Sequence, residues 1–198
     1  LDPPPVAGML PPTAAYIIPA THPRHLEVGA VFSAVAATHG REAAARLHVL
    51  GARDYFFDTK PKSWFFSRCF NVVPIRRDQT GLDGLRAAKS ILATGESVLI
   101  FPEATRSRTG EMQAFKAGLG LLAYETNTAV VPARIDGTYA VLPAGQVFPK
   151  PGRVRVRFGT PMPMEHYRLD ANGSKEELYR RIAQDVRERI AALASRPE

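Results

Sequence analysis

A single cysteine, Cys69, is all the thiol this 198-residue sequence holds. That excludes an internal disulfide and a cysteine metal cage, and it suits a reducing compartment. Cys69 is expected to pack as a small apolar side chain, not to act as a nucleophile. No apolar run approaches the ~18 residues that mark a membrane span. The opening LDPPPVAGMLPP lacks the basic-then-apolar order of a signal peptide. The chain is therefore not expected to cross a bilayer by itself. It starts at Leu1 and is read as a segment of a longer polypeptide, with any membrane anchor outside it. Acidic residues are also short: 19 Asp and Glu face 26 Lys and Arg, a net charge of +7. Such an excess points to an anionic partner, whether nucleic acid, an acidic membrane surface or a phosphorylated substrate. The excess is uneven, because residues 41–77 carry eight basic side chains against three acidic ones.

What is present suffices for one substantial domain, since 45% of the residues are hydrophobic. Residues 1–13, with five prolines, read as an irregular lead-in, and 14–198 as a single domain. AYII predicts a short strand, and LEVGAVFSAVAATH a helix from His25 to about His39 that Gly40 closes, with Leu26, Val28, Phe32 and Val35 toward a core. LHVLGARDYFF and NVVPI predict further short strands. LDGLRAAKSILATG predicts a helix using Leu82, Leu85, Ile91 and Leu92 and ending at Gly95. SVLIF is short and β-rich, so it predicts a buried strand. FKAGLGLLAYET predicts a helix with Phe115, Leu119 and Leu122 on one stripe. TAVVPARI and RVRVRFG predict strands, the second alternating Val154, Val156 and Phe158 with Arg153, Arg155 and Arg157. Ser174 and Glu177 form a capping box for a last helix with Leu178, Ile182, Val186, Ile190 and Leu193 on one side. Alternating strands and helices imply an α/β fold with a mixed, largely parallel central sheet flanked by helices.

Three clusters carry the chemistry: THPRHLE (21–27), NVVPIRR (71–77) and FPEATRS (101–107). Each falls at a strand end or helix start, where open α/β sheets place their ligands. His22 and Glu27 are spaced to meet across a loop-to-helix turn. An imidazole that removes the proton of an attacking hydroxyl is worth roughly 10²- to 10⁴-fold in rate, and a carboxylate fixes its tautomer and steadies the imidazolium. His25 competes for this role in the same turn. Arg76 and Arg106 suit a phosphate that must be gripped in two places, with the Thr105 and Ser107 hydroxyls as further donors. Solvated or ion-paired arginines are the alternative. Glu103 fits an anion site only by orienting an arginine or by accepting from a sugar or glycerol hydroxyl.

These clusters carry a resemblance. The sequence resembles the glycerolipid acyltransferases, specifically the 1-acylglycerol-3-phosphate acyltransferase family, whose four blocks occur in order over almost the whole chain. The first block, His-x-x-x-x-Asp, falls on His22 to Glu27, and the second, ending in a phosphate-contacting arginine, on NVVPIR with Arg76. The third, Phe-Pro-Glu-Gly-Thr-Arg-Ser, falls on FPEATRS, and the apolar fourth on AVVPARI with Pro132. The resemblance implies a glycerol-3-phosphate acyltransferase-like fold and transfer of a fatty acyl group to a lysophospholipid hydroxyl, most directly that of 1-acylglycerol 3-phosphate. It implies His22 as general base, with Arg76, Glu103 and Arg106 as the acceptor-phosphate and glycerol site, beside which the Thr105 and Ser107 hydroxyls stand as further donors. The co-substrate would be a thioester of coenzyme A or acyl carrier protein, with no cofactor, no metal and no acyl-enzyme. Four positions depart from the pattern. Glu27 replaces Asp, Ala104 replaces Gly, Arg24 replaces a small polar residue, and Asn71 stands where Gly is usual, Asn being the residue that best tolerates a positive φ.

KPKSWFFSRCF (60–70) interleaves Lys60, Lys62 and Arg68 with Trp64, Phe65, Phe66 and Phe70. This suits an interfacial patch against anionic lipid, and so a peripheral or externally anchored place on the cytoplasmic side of a membrane. The alternative is a core helix with Phe66 and Phe70 buried and Trp64 packed. Other acceptors, such as glycerol 3-phosphate or another lysolipid, and a catalytically impaired lipid- or phosphate-binding domain also fit the residues. Nucleic-acid binding is not expected, because no recognised module accompanies the charge.

Overall fold

The computed structural model describes residues 14–21, 25–52, 59, 60, 64, 68, 70–75, 81–103, 112–142, 150–169 and 173–194, with the backbone alone at 25, 26, 52 and 169. Four strands form a parallel sheet: β1 (Ile17–Pro19), β2 (Leu47–Ala52), β3 (Val72–Ile75) and β4 (Ser97–Ile100), in the order β1-β4-β2-β3. Pro19 lies opposite Ile100, and Val49 opposite both Leu99 and Val72. On the other side of β1, Val131 donates to Ile17 O at 2.8 Å and Ile17 to Ala129 O at 3.0 Å, with parallel bridges at Ile17–Val130 and Ala20–Ala133. The chain then enters β5 (Ala133–Asp136), which pairs antiparallel with β6 (Arg155–Phe158). The result is the mixed, largely parallel α/β sheet that the alternation of elements implies.

Adjacent strand residues point to opposite faces, so the sheet divides the core in two. Ile18 and Leu99 belong to one cluster with Val28, Val31 and Val35 of helix α1 (His25–Ala45). Ile17 and Val98 belong to the other, with Ala88 and Leu92 of α2 (Leu82–Ala93), Leu119 and Leu122 of α3 (Gly118–Thr126), and Ile182, Val186 and Ile190 of α6 (Lys175–Ala192). Strands covered on both faces must be apolar throughout, which explains IIP, SVLI and LHVL. Two further short helices are α4 (Thr138–Val141) and α5 (Glu165–Leu169).

Helix α1 does not end at Gly40. That glycine takes φ 88°, ψ 163°, open to glycine but not to L-residues, and the chain kinks there and re-enters helix to Ala45. Helix α2 ends as expected, with the Gly95 amide donating to Leu92 O at 3.0 Å, but Leu82 lies on the exposed side. Helix α3 begins at Gly118, three residues after Phe115, which packs on the core from the segment before it. The capping box on α6 is complete: Ser174 Oγ accepts from the Glu177 amide at 3.2 Å, and the Ser174 amide donates to Glu177 Oε2 at 3.0 Å. Leu178, Ile182, Val186, Ile190 and Leu193 are all buried beneath it.

Candidate active site at the carboxyl edge of the sheet

Because β1 to β4 are parallel, their carboxyl ends share one edge; the first and third motif clusters follow β1 and β4 there, and the second supplies β3 itself. The segments after β1 and β4 start side by side, with the Ala20 amide donating to Ile100 O at 3.0 Å. From β1 the chain passes through buried Thr21 toward α1, whose first turn carries Glu27. Glu27 is 0% exposed. A carboxylate at this depth requires a hydrogen-bond donor or a positive charge, and the amino end of its own helix favours a negative group.

From β4 the chain passes through Phe101 and Pro102 to Glu103, which is 3% exposed. Its Oε2 accepts the Gln113 amide at 3.3 Å, and Pro102 O accepts the Lys116 amide at 3.2 Å. Both bonds join the two stems of the FPEATRS loop, so Glu103 has a role the sequence does not announce. Its partner is ten residues away, and no local pattern marks the pair.

The NVVPI block enters the sheet as Asn71 predicts. Asn71 has φ 45°, and its Nδ2 donates to Ala45 O at 2.7 Å and Leu47 O at 3.3 Å. These bonds fix the start of β3 beside β2 and so the place where the strand ends, at Ile75. The β3 strand lies two strands from β4, about 10 Å across the sheet, a gap that side chains from both ends can bridge.

Glu27 and Glu103 thus follow neighbouring parallel strands, β1 and β4, from one sheet edge. His22, Arg76, Thr105, Arg106 and Ser107 lie outside the described residues, as do Arg24, Cys69 and Ala104. Among the described residues of the aromatic-basic segment, Trp64 is 69% exposed, not packed, and Lys60 and Arg68 are exposed beside it in sequence. Phe70 is half-buried and meets Phe32 of α1 edge-on, with ring centroids 5.6 Å apart. The row of arginines on β6 is partly committed, since Arg157 donates to Asp136 at 2.7 Å and Arg134 to the same carboxylate at 3.0 Å. No described helix is long and apolar enough to cross a membrane.

A family model described as Acyltransferase matches residues 7–136, about two thirds of the chain, and spans all three clusters. The chain belongs to the acyltransferase family. Among sequence relatives, the chloroplastic 1-acyl-sn-glycerol-3-phosphate acyltransferase LPAT1 of Arabidopsis thaliana is 33% identical over 123 residues, 61% of this chain and 31% of the relative. A 1-acyl-sn-glycerol-3-phosphate acyltransferase of Chlamydomonas reinhardtii is 38% identical over 82 residues, 41% of this chain and 24% of the relative. The matched stretches therefore span about a third or less of these relatives. The fold is shared with PlsC, the 1-acyl-sn-glycerophosphate acyltransferase of Thermotoga maritima, at a TM-score of 0.65 and 23% identity, over 93% of this chain and 68% of that one.

Proposed function

We propose that this acyltransferase-family chain moves a fatty acyl group from a thioester of coenzyme A or acyl carrier protein to the free hydroxyl of a lysophospholipid. The acceptor that best fits is 1-acylglycerol 3-phosphate, which would become phosphatidic acid. The observation that carries this is the fully buried Glu27, in the first turn of the helix that follows β1 and five residues after His22. An exposed acid at that position would be ordinary, whereas a buried one demands a partner. An imidazole at His22 would supply it and be held in one tautomer by it.

In this reaction the acceptor hydroxyl oxygen attacks the thioester carbonyl while its proton passes to the His22 imidazole. The tetrahedral intermediate then collapses, its C–S bond breaks, and the thiolate takes a proton from the imidazolium. Arg76, Arg106, Thr105 and Ser107 hold the acceptor phosphate, and Glu103 organises the loop that carries three of them. Relatives named for acyl transfer to 1-acylglycerol 3-phosphate, matched over 123 and 82 residues, support the acceptor. The reaction takes place at a membrane surface, on its cytoplasmic side. Exposed Trp64 with Lys60 and Arg68 supports peripheral contact with anionic lipid.

The test is an acceptor panel with palmitoyl thioesters, comparing 1-acylglycerol 3-phosphate, glycerol 3-phosphate and neutral lysolipids on the wild type and His22→Ala. Phosphate-bearing acceptors are expected to win, and His22→Ala to lose about 10²-fold or more in kcat/KM. Equal rates for the two proteins would overturn the mechanism. Turnover of neutral lysolipids as fast as phosphorylated ones would overturn the acceptor assignment.

A further inference from the structure

Helix α6 lies wholly beyond the residues that the family model matches, yet one of its side chains reaches the motif loop. Arg187 Nε donates to Gln113 O at 3.2 Å, and its Nη2 donates to Met112 O at 3.3 Å. Two adjacent donors of one planar guanidinium thus grip two successive carbonyls. This fork is open to arginine and not to the single ammonium head of lysine. Gln113 is also the residue whose amide donates to Glu103 Oε2 at 3.3 Å. The far stem of the FPEATRS loop is therefore fixed on two sides, by a buried carboxylate of the near stem and by a cation of the last helix.

We infer that Arg187 is a positioning residue, which sets the far stem of the FPEATRS loop and so the spacing of the groups that grip the acceptor phosphate. The inference rests on the proposed acceptor role of Thr105, Arg106 and Ser107. Its base is rigid, because Val186, next to Arg187, is fully buried, as are Ile182 and Ile190 one turn to either side. A side chain anchored on such a helix presents its donors at a set distance from the sheet. Met112 packs against the same core cluster, so the stem is seated as well as hydrogen-bonded. Stems that are already set leave less to be ordered when the acceptor binds, and the saving falls on acceptor binding. The acyl donor has no share in it.

The test compares the wild type with Arg187→Met, which keeps the apolar stem and removes every donor, and with Arg187→Lys, which restores one charge and one bond. The KM for 1-acylglycerol 3-phosphate should rise about five- to tenfold in Arg187→Met and less in Arg187→Lys, with kcat at saturating acceptor and the KM for the acyl thioester within about twofold. Amide exchange at Gln113 and Lys116 should quicken in Arg187→Met, while exchange in the centre of α6 does not. A fall in thermal stability with equal loss on both substrates, or unchanged acceptor KM and unchanged exchange, would overturn the inference. Should the wild type transfer no acyl group to any acceptor, the proposed function fails separately. The exchange measurement would then decide the Arg187 contact without substrate, its quickening upholding the clamp and its constancy ending it.

Discussion

Gly120 is where a single atom would cost most. A Cβ built there would lie 2.1 Å from Tyr179 O and 2.8 Å from the Tyr179 carbonyl carbon, so helices α3 and α6 cross backbone to backbone at this point. The obstacle is main chain, which cannot rotate away as a side-chain tip would. The Gly120→Ala protein is expected to lose about 3 kcal/mol, read as a lower urea midpoint with an unchanged slope. A loss below about 0.5 kcal/mol would mean the two helices pack further apart than described. A second tie holds the same crossing, where the Tyr179 hydroxyl donates to Glu125 at 2.5 Å. That bond, and then Lys175, holds the Glu125 carboxyl below the usual range, and the same carboxylate pushes Tyr179 up to about 12. Neither constraint is legible in the sequence. AGLGLLA reads as an apolar helix and does not distinguish Gly120 from Gly118, because the demand comes from a helix about sixty residues away. Asn71 could be read because its constraint is its own backbone, a positive φ that few side chains tolerate. The Arg187 and Glu103 contacts to Gln113 were hidden for the same reason as Gly120, since each joins segments with no shared local pattern.

At the scale of elements, local chemistry was legible where it dominates and was not where tertiary contacts prevail. Helix α6 shows its cap, its stripe and its length in sequence, because each is set within a few residues. Helices α4 and α5, of four and five residues, are too short for any periodicity to form. In α1 the kink at Gly40 places His39 where the helix turns. There Thr38 Oγ1 lies 2.8 Å from Ala34 O and 2.5 Å from His39 Nδ1. If the threonine hydroxyl donates to the carbonyl, the ring donates from Nδ1, which leaves Nε2 as the unprotonated nitrogen. His39 Nε2 is buried with no hydrogen-bond partner among the described residues, and the ring meets Phe158 edge-on at 6.0 Å. Burial holds the imidazole below its usual pKa. A base with a depressed folded pKa gives stability that is complete above the unfolded value near 6.5 and lost as pH falls toward the folded one. Between those values the unfolded chain binds the proton and the folded chain does not. The melting temperature of the wild type relative to His39→Leu should therefore be highest near pH 7 and fall toward pH 5. A constant difference across that range would show that His39 titrates alike in both states.

At the scale of the whole molecule, the net charge of +7 and the site edge converge on the surface around residues 60–70. Phe70 packs against α1, since its ring would lie 3.8 Å from a Cβ at Gly29, two residues after Glu27. Phe70 thus packs on the helix that carries the buried carboxylate, and exposed Lys60, Trp64 and Arg68 precede it in the most basic stretch of the chain. An acyl chain leaving or entering a bilayer needs such a neighbour, because apolar surface must be covered along its path. Trp64 is the one tryptophan in the sequence, so its fluorescence reports on this surface alone. Mixing the protein with phosphatidylcholine vesicles containing about one third anionic lipid should shift its emission to the blue. Added salt should weaken the binding, because a basic side chain near such a surface contributes about 1 kcal/mol that is screened within a Debye length. By the same figure, Lys60→Gln and Arg68→Gln should each weaken partition about fivefold. The indole adds the apolar half of the affinity, so Trp64→Leu should bind nearly as well in sedimentation and Trp64→Ser much less. Emission that stays unshifted while the protein sediments with vesicles would put the lipid contact on another face, and equal binding to neutral vesicles would remove charge as its cause.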